Sequence, residues 1–566
     1  MCGIYMRIHL NGERVEAKDL FSLQAMSHRG PDGEDFFAYK NIGLAHKRLS
    51  IYDVTDAGRQ PMHFNGMHMV YNGAVYNHLE LKQELENLGH SFQSHADTEV
   101  ILHAYAQWGK ACFEKFTGQW ALIIFDEKNE KIIVCRDRYG IKPLYKYHKN
   151  GVLAYASEVK ALSTDASLNT TDLHSFLHDG ITDTIDRSFY HEISAVNPAT
   201  AYSFDLKMQN VEEYIYYEAK HCEDNYHLSF QDAVHQFRAL LKHSTAMCLR
   251  SDVPSGISLS GGLDSNSIAN ITSQLNINEQ KSCYIVDFAE EGNKESKYAQ
   301  ATIQKTGYKL IECRPTMQEM LDILPRVAFY QDLPFASMSI LAQYLLFERV
   351  AHTEVKVMLS GQGADEILGG YDAFISAYYH HLKQHSSYDA LKYLSQSAFA
   401  QPQLFFQRMT EQNRNRASKL NASRDIFEFQ KKSLTISPLP ALLRYEDRNS
   451  MAHGIESRLP FLDHRIVDFC FSLPINYIMQ GGGRKPLLVE AMKGIVPDVI
   501  LQRKDKVPYA TPEKIWMKKD KNIFEEMAHH ADSNLRDVGI DTWQNKGSSN
   551  LWRKISAGMW LEAFKK

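Results

Sequence analysis

A short apolar run, Val253–Leu259, leads directly into Ser260-Gly261-Gly262-Leu263-Asp264-Ser265, and a helical pattern follows over Ser267–Leu275. This sequence of strand, glycine-rich turn and helix restricts the fold more than any other feature of the chain. Two glycines let backbone amides come close to an anion, and a helix N-terminus adds partial positive charge. In open α/β sheets such turns sit at the carboxyl ends of strands, where ligands bind. Lys281–Phe288, Tyr308–Cys313 and Glu354–Leu359 read as further strands separated by helices, the βαβα order of a parallel sheet. The last of these runs into a second turn, Ser360-Gly361-Gln362-Gly363-Ala364-Asp365-Glu366. Both turns are therefore expected to face one crevice. Ser260 and Ser265 can donate hydroxyl hydrogen bonds to phosphate. Asp264 would repel phosphate unless a divalent cation lay between them, so it is an expected magnesium ligand, with Asp365 or Glu366 completing the site. A Walker loop has Lys where this turn has Asp264, so this is a different phosphate loop.

The other end of the chain has a different texture. Residues 1 to about 215 are strand-rich, with β-type runs at Ala121–Asp126, Lys131–Arg136, Val152–Ala156 and Ala201–Asp205. Helical spacing interrupts them at Leu79–Leu88 and Glu99–Trp108. Phe230–Leu249 reads as an amphipathic helix, and the Lys-rich tail from Ala491 reads as mostly helical. A polar, acidic and aromatic link near 206–228 divides the chain into expected domains 1–215 and 216–566. A length of 566 residues, too great for one core, agrees. At the very start, Met1-Cys2-Gly3-Ile4 would expose an N-terminal Cys if Met1 were removed. That residue would carry a thiol nucleophile beside an α-amine able to act as its base.

Composition narrows the function classes. A net charge of −5 argues against a surface that coats nucleic acid, but not against small anionic ligands held by a local positive site. The eight Cys are scattered with no Cys-x-x-Cys pair, which reads as reduced thiols without metal-cluster spacing. Arg7, His9 and Glu13 interrupt any signal-peptide core, and no apolar run reaches membrane-span length. A cytoplasmic protein without membrane or nucleic-acid partners is the expectation. Lys504 and Lys506, after Arg503, either belong to a solvated helix face or touch pyrophosphate.

Taken together, these motifs resemble the glutamine-dependent asparagine synthetases. In the first half the resemblance rests on Met1–Ile4, Ser27–Gly33 (SHRGPDG), Arg48–Ile51, Asn72–Asn77, Asp97–Val100 and Arg136–Leu144. In the second it rests on the two glycine turns, on Arg444–Asp463 and on Lys485. It implies a two-domain protein of mixed α+β and α/β class. The first domain would be an αββα sandwich of the N-terminal-nucleophile hydrolase type. The second would be a parallel-sheet ATP-pyrophosphatase domain with a helical C-terminal part. The resemblance also implies roles. Cys2 would attack the glutamine amide, and Asn72 and Gly73 would form the oxyanion hole. Arg48, Leu49, Ser50, Ile51, Ala74 and Asp97 would complete the glutamine site, with Arg48 on the α-carboxylate and Asp97 on the α-ammonium. Ser258, Ser260, Gly261, Gly262, Asp264, Ser265, Val286, Ser360 and Gly361 would hold ATP, with Asp264 and Asp365 on Mg2+. Lys485 would stabilise the anionic transition state. A carboxylate would be activated as its acyl-adenylate, and ammonia tunnelled from the first site would displace AMP. Small-molecule partners are implied, and a homodimer is compatible with the resemblance.

Two departures bear on the acceptor. The usual Asn-Gly-Glu is Asn72-Gly73-Ala74 here, which removes one side-chain contact to glutamine but keeps a backbone amide. Asparagine-forming members carry Ser-Gly-Glu-Gly where this chain has Ser360-Gly361-Gln362-Gly363. Gln exchanges hydrogen bonds but takes no proton. Either Glu366, Glu446 or Glu456 serves in its place at the acceptor or adenylate site, or the acceptor is not aspartate. The first expectation is asparagine synthesis from aspartate. The second is the same chemistry on another carboxylate, such as a sugar acid of surface polysaccharides. The third, a non-catalytic sensing or complex-forming member, is opposed by the intact Cys2, Arg48, Asn72, Asp97, Asp264, Asp365 and Lys485.

Overall fold

Strict alternation along the strands builds the first half. On Gly118–Asp126, Ala121, Ile123 and Phe125 point to one side, while Trp120, Leu122 and Ile124 point to the other, and all six are fully buried. A strand buried on both faces must lie inside a layered stack. The chain is described from a computed structural model, which covers residues 2–183, 188–275, 281–292, 294–400, 425–480, 485–503, 511–540 and 548–564. Two six-stranded antiparallel sheets form the stack. One runs Ile193–Ala195, Tyr145–Lys149, Val152–Ala156, Gly3–His9, Ile42–Arg48, Gly33–Tyr39. The other runs Glu212–Ile215, Thr200–Asp205, Lys131–Arg136, Gly118–Asp126, Met67–Val75, Met62–Phe64. Ile4, Met6 and Ile8 of the first sheet meet Val70, Ile123 and Val134 of the second. Helices His78–Asn87 and Asp97–Trp108 cover the outer face of the second sheet through Leu81, Leu85 and Val100. The 3-10 segment Ala17–Arg29 and the helix Thr170–Asp179 cover that of the first through Leu20, Met26 and Phe176. The result is the expected αββα sandwich.

The second half is a five-stranded parallel sheet ordered Lys309–Cys313, Ser282–Val286, Ser255–Ser258, Val357–Leu359, Glu456–Arg458. In chain order this is 3-2-1-4-5, so the direction of winding reverses between Ser255–Ser258 and Val357–Leu359. A crevice at the carboxyl ends of these two strands is the predicted ligand position for such a sheet. The helical C-terminal part reaches back over the first half. Leu535, Ala557, Trp560 and Leu561, from helices Lys521–Asp537 and Ser548–Ala563, join the core outside the first sheet. Leu49, Ile51, Tyr139 and Ile141 in turn share a core with Leu241, Ile257 and Phe461 of the second half. Among the described residues no helix is long and apolar enough to cross a membrane.

Two features differ from the sequence expectation. The helix after the first turn begins at Leu263, not Ser267, and places Asp264 and Ser265 in its first turn. The polar run that reads as loop is bonded back onto the turn, with Asn266 Nδ2 donating to the Ser260 carbonyl at 2.7 Å. The fifth strand, Glu456–Arg458, has no apolar signature. Its two charged side chains neutralise one another at 2.5 Å while its backbone pairs with Val357–Leu359.

A buried charge cluster ties the halves together. Arg29 donates to the Cys2 carbonyl at 3.1 Å, to Glu158 at 2.7 Å, and with both terminal nitrogens to Asp447 on helix Leu439–Met451 at 2.9 and 3.2 Å. Arg29→Met would leave Glu158 and Asp447 buried with one cation fewer, and breaking such a pair costs about 3–5 kcal/mol. Urea denaturation of the full chain should show a loss of that order. A loss no larger than that of an exposed-site substitution would contradict the bridging role.

Candidate active sites

Cys2 stands at the entrance of the strand Gly3–His9, nearly buried, with its Sγ 3.9 Å from the Leu49 carbonyl. Burial pushes its thiol pKa up. Its backbone nitrogen donates to Asn72 Oδ1 at 2.9 Å. In the full-length chain that nitrogen is an amide, and removal of Met1 would make it the α-amine. Because Asn72 accepts through Oδ1, its Nδ2 is the other end, and it is buried with no hydrogen-bond partner. An orphaned buried donor beside a thiol is what a developing oxyanion requires. Gly73 follows on the same strand, Met67–Val75, where a Cβ would lie 2.2 Å from the Gln119 carbonyl oxygen, so only glycine fits.

Each of the other residues expected at glutamine has its own local partners. Arg48 ends its strand and donates to the backbone carbonyls of Thr55, at 2.7 Å, and Asp53. These bonds shape the loop 53–55 and use two of the roughly five N–H donors of a guanidinium. The Ser50 amide donates to Asp32 at 2.8 Å. Leu49, Ile51 and Ala74 are buried in the core shared by the two halves, so Ala74 contributes packing where a Glu would contribute a polar contact. Asp97 opens its helix, and its Oδ2 accepts from the Tyr71 hydroxyl at 2.8 Å and the Val75 amide at 2.9 Å. Burial raises its pKa.

The second centre lies at the switch point of the parallel sheet. Ser258 and Val286 end neighbouring strands, and Ser360 and Gly361 follow the strand on the other side. The two glycine turns touch: a Cβ on Gly361 would lie 2.9 Å from the Ser265 nitrogen and 3.0 Å from Asp264 Cβ. In the first turn the Ser260 amide donates to Ser265 Oγ at 3.0 Å, and the Gly262 amide donates to Ser260 Oγ at 3.1 Å. The Gly261 amide donates to Glu295 at 2.7 Å, and Glu295 pairs with Arg503 at 2.5 Å. Lys485 occupies the left-handed region at φ 54° and is buried, with Nζ 2.6 Å from both Asp264 and Asp365. A non-glycine residue held in that conformation costs about 1–3 kcal/mol and is characteristic of functional positions.

The three carboxylates considered beside Gln362 separate cleanly. Glu366 accepts from the Tyr371 hydroxyl at 2.6 Å, and burial raises its pKa to about 7. Glu446 is buried between two hydroxyls, Ser360 Oγ at 3.3 Å and Ser457 Oγ. Glu456 does not join the glycine turns. It is the first residue of its strand, and all strands of a parallel sheet run the same way, so it lies at the end away from the turns. There it is paired with Arg458. Gln362 itself is half-buried in the turn before helix Ala364–Ile367. Lys504 and Lys506 lie outside the described residues.

The sequence reading gave no role to Glu295, Gln119 or Arg29. Glu295 is a lone acid early in a helix, and only proximity to Gly261 reveals it. Gln119, fully buried on its strand, donates through Nε2 to the Ser457 carbonyl at 2.9 Å, while its Oε1 is buried without a partner. Lys142 aims at the same carbonyl from 3.5 Å, and burial lowers its pKa to about 8.

A thiol beside an orphan donor, and a phosphate-type double turn carrying two carboxylates and a lysine, define an amidotransferase joined to a nucleotide-dependent synthetase. Comparison with known proteins agrees. A glutamine amidotransferase domain matches residues 1–217, and the asparagine synthase family model matches residues 236–560. The chain belongs to the asparagine synthase family, as a glutamine-dependent amidotransferase. It is 30% identical to asparagine synthetase [glutamine-hydrolyzing] 3 of Bacillus subtilis, over 90% of this chain and 87% of that protein. It is 28% identical to asparagine synthetase B of Escherichia coli, over 89% and 81%. It is 26% identical to amidase chry2 of Gibberella zeae, over 96% and 94%.

Asn72→Ala removes both the acceptor for the Cys2 nitrogen and the orphan donor. Glutamate release from glutamine should fall by about 10²–10³, the usual cost of one oxyanion donor. Synthesis from ammonium salts should persist. Unchanged glutamate release would contradict the placement.

Proposed function

We propose that the chain hydrolyses glutamine at Cys2 and uses ATP to convert aspartate to asparagine, with ammonia passing internally between the sites. The observation that carries this reading is the buried polar run between the centres. Gly73 abuts Gln119, Gln119 donates to the Ser457 carbonyl, Ser457 Oγ meets Glu446, and Glu446 meets Ser360 of the second turn.

At the first site the Cys2 sulfur attacks the glutamine amide carbon. The α-amine exposed by loss of Met1 takes the thiol proton, and Asn72 Nδ2 with the Gly73 amide receives the oxyanion. Ammonia leaves, and water then releases glutamate from the thioester. Arg48 and Asp97 orient the glutamine α-groups; their present partners, the loop carbonyls and the Tyr71 hydroxyl, set where those groups can sit. At the second site the turn amides and hydroxyls of Ser260–Ser265 and Ser360–Gly361 take the ATP phosphates, and Ser258 and Val286 flank the base. The substrate carboxylate attacks the α-phosphorus, pyrophosphate leaves, and Lys485 balances the developing negative charge.

Asp264 and Asp365 fit Mg2+. Two carboxylates converge on one point, now occupied by Lys485 Nζ, and no third His, Cys or acid joins them among the described residues. Magnesium is ordinarily held by one or two carboxylates with phosphate and water completing its shell. Bound there, the ion would neutralise the phosphates.

A second reading, amidation of another carboxylate, is favoured by one observation: the neutral Gln362 stands in the second turn. The two readings separate on Gln362→Glu. With aspartate as acceptor, the change should preserve or raise aspartate-dependent AMP release. With a sugar acid, an unpaired charge costing about 2 kcal/mol or more should depress it. Aspartate-dependent AMP release by the wild type no higher than a no-acceptor control would exclude the first reading.

Two further outcomes test the division of labour. Cys2→Ala should abolish glutamine-dependent synthesis and spare ammonia-dependent synthesis. Asp264→Asn, or removal of magnesium by chelation, should depress both while glutamate release from glutamine continues. Full AMP production by Asp264→Asn at limiting magnesium would refute the metal role.

A further inference from the structure

Glutamine hydrolysis delivers ammonia, and the amide-forming step releases a proton that must go somewhere. In that step the nitrogen lone pair bonds to the acyl carbon and the carbon–oxygen bond to AMP breaks. AMP leaves with that electron pair, and the nitrogen sheds one proton. The residue that accepts it needs a carboxylate or amine near the second turn, on the side from which ammonia arrives, and partners that tolerate its protonation.

Among the candidate carboxylates only Glu446 meets these conditions. Glu456 is paired with Arg458, and a guanidinium has no acceptor lone pair for the proton of a carboxylic acid. It also lies at the wrong end of its strand. Glu366 is bonded to Tyr371 next to Asp365, on the side of the expected metal. Glu446 is held by two serine hydroxyls, one on the second turn and one on the strand facing the first half. A hydroxyl donates to a carboxylate and, after rotating, accepts from a carboxylic acid. Glu446 can therefore gain and lose a proton without losing a partner. The approach from Cys2 is polar on the same line: Gln119 Oε1, buried and unpartnered, is an acceptor suited to an N–H donor, and it belongs to the side chain bonded to Ser457.

We infer that Glu446, positioned by Ser360 and Ser457, is the base that takes the proton from ammonia as it attacks the acyl-adenylate, the task Gln362 cannot perform. The inference rests on the amidotransferase reading but not on aspartate as acceptor. Burial raises the pKa of Glu446, the direction that makes a carboxylate a better base. The charges that act on it most strongly among the described residues are Lys142 from the first half and Asp447 on its own helix.

The test uses the full-length enzyme with ATP, magnesium and whichever carboxylate the wild type adenylates, so that failure of aspartate would overturn only the acceptor reading. Glu446→Gln keeps the size and hydrogen-bonding capacity of the side chain. Amide formation from ammonium should fall by about 100-fold or more, the scale of general-base catalysis. Hydroxylamine, a stronger nucleophile that is neutral near pH 7, should still trap the adenylate as hydroxamate within about 10-fold of wild type, because it depends less on a base. Glutamate release from glutamine should be unchanged and serves as the control for folding. Equal losses with both nucleophiles, or no loss with either, would overturn the proposal. A second variant guards against a folding defect: Ser457→Ala removes a donor to the carboxylate, raises its pKa, and should move the acid limb of the amide-formation profile to higher pH. An unmoved limb would also count against it.

Discussion

Everything in this molecule depends on how the chain's first residues are tied to its second half, and Arg29 does the tying. One guanidinium holds the carbonyl of the residue carrying the thiol, the Glu158 carboxylate of its own half and a carboxylate of helix Leu439–Met451. Charges this deep are stable only in company. Arg29, Lys160 and Arg448 face Glu158, Asp332 and Asp447, so the cluster balances. Burial lowers the pKa of neighbouring His28, which keeps it neutral and preserves the balance at neutral pH. Asp332 locks the other side, its carboxylate accepting from the amides of Val159 and Lys160 across the same boundary. Breaking such a network is costly even where its net contribution is modest, so the two centres are held in fixed relation.

The parallel sheet then decides what the fixed relation achieves. Its winding reverses between the strands that carry the two glycine turns, so both turns open on one crevice. The edge strand Glu456–Arg458 runs from the boundary with the first half toward that crevice. Its middle residue, Ser457, faces both ways, with its carbonyl toward Gln119 and Lys142 and its hydroxyl toward Glu446. Three residues with no apolar character thus become the joint between the half that carries Cys2 and the half that carries the glycine turns.

Much of this was legible in the sequence. The glycine turns and the β-type alternation of Lys131–Arg136 and Val152–Ala156 carry local physical signatures, and these elements stand where the signatures put them, whereas Asn72 and Gly73 as partners of Cys2 were expected only from the family resemblance. What was not legible depends on distant neighbours. Glu456–Arg458 looks like a charged loop until its backbone meets Val357–Leu359. The helix start at Leu263 was hidden because Asp264, Ser265 and Asn266 are typical turn residues whose side chains here bond back onto the loop. Glu446 and Glu456, equivalent as acids in one motif, differ only through strand direction and through their partners, two hydroxyls for one and an arginine for the other.

The central claim is that ammonia made at Cys2 reaches the second crevice through the buried junction and not through solvent. Glutamine labelled with ¹⁵N in its side-chain amide, supplied to the full-length enzyme in a large excess of unlabelled ammonium, tests this directly. Mass spectrometry of the amide product should show most of the new nitrogen as ¹⁵N despite the excess. A product whose label is diluted to the bulk ammonium ratio would contradict the account.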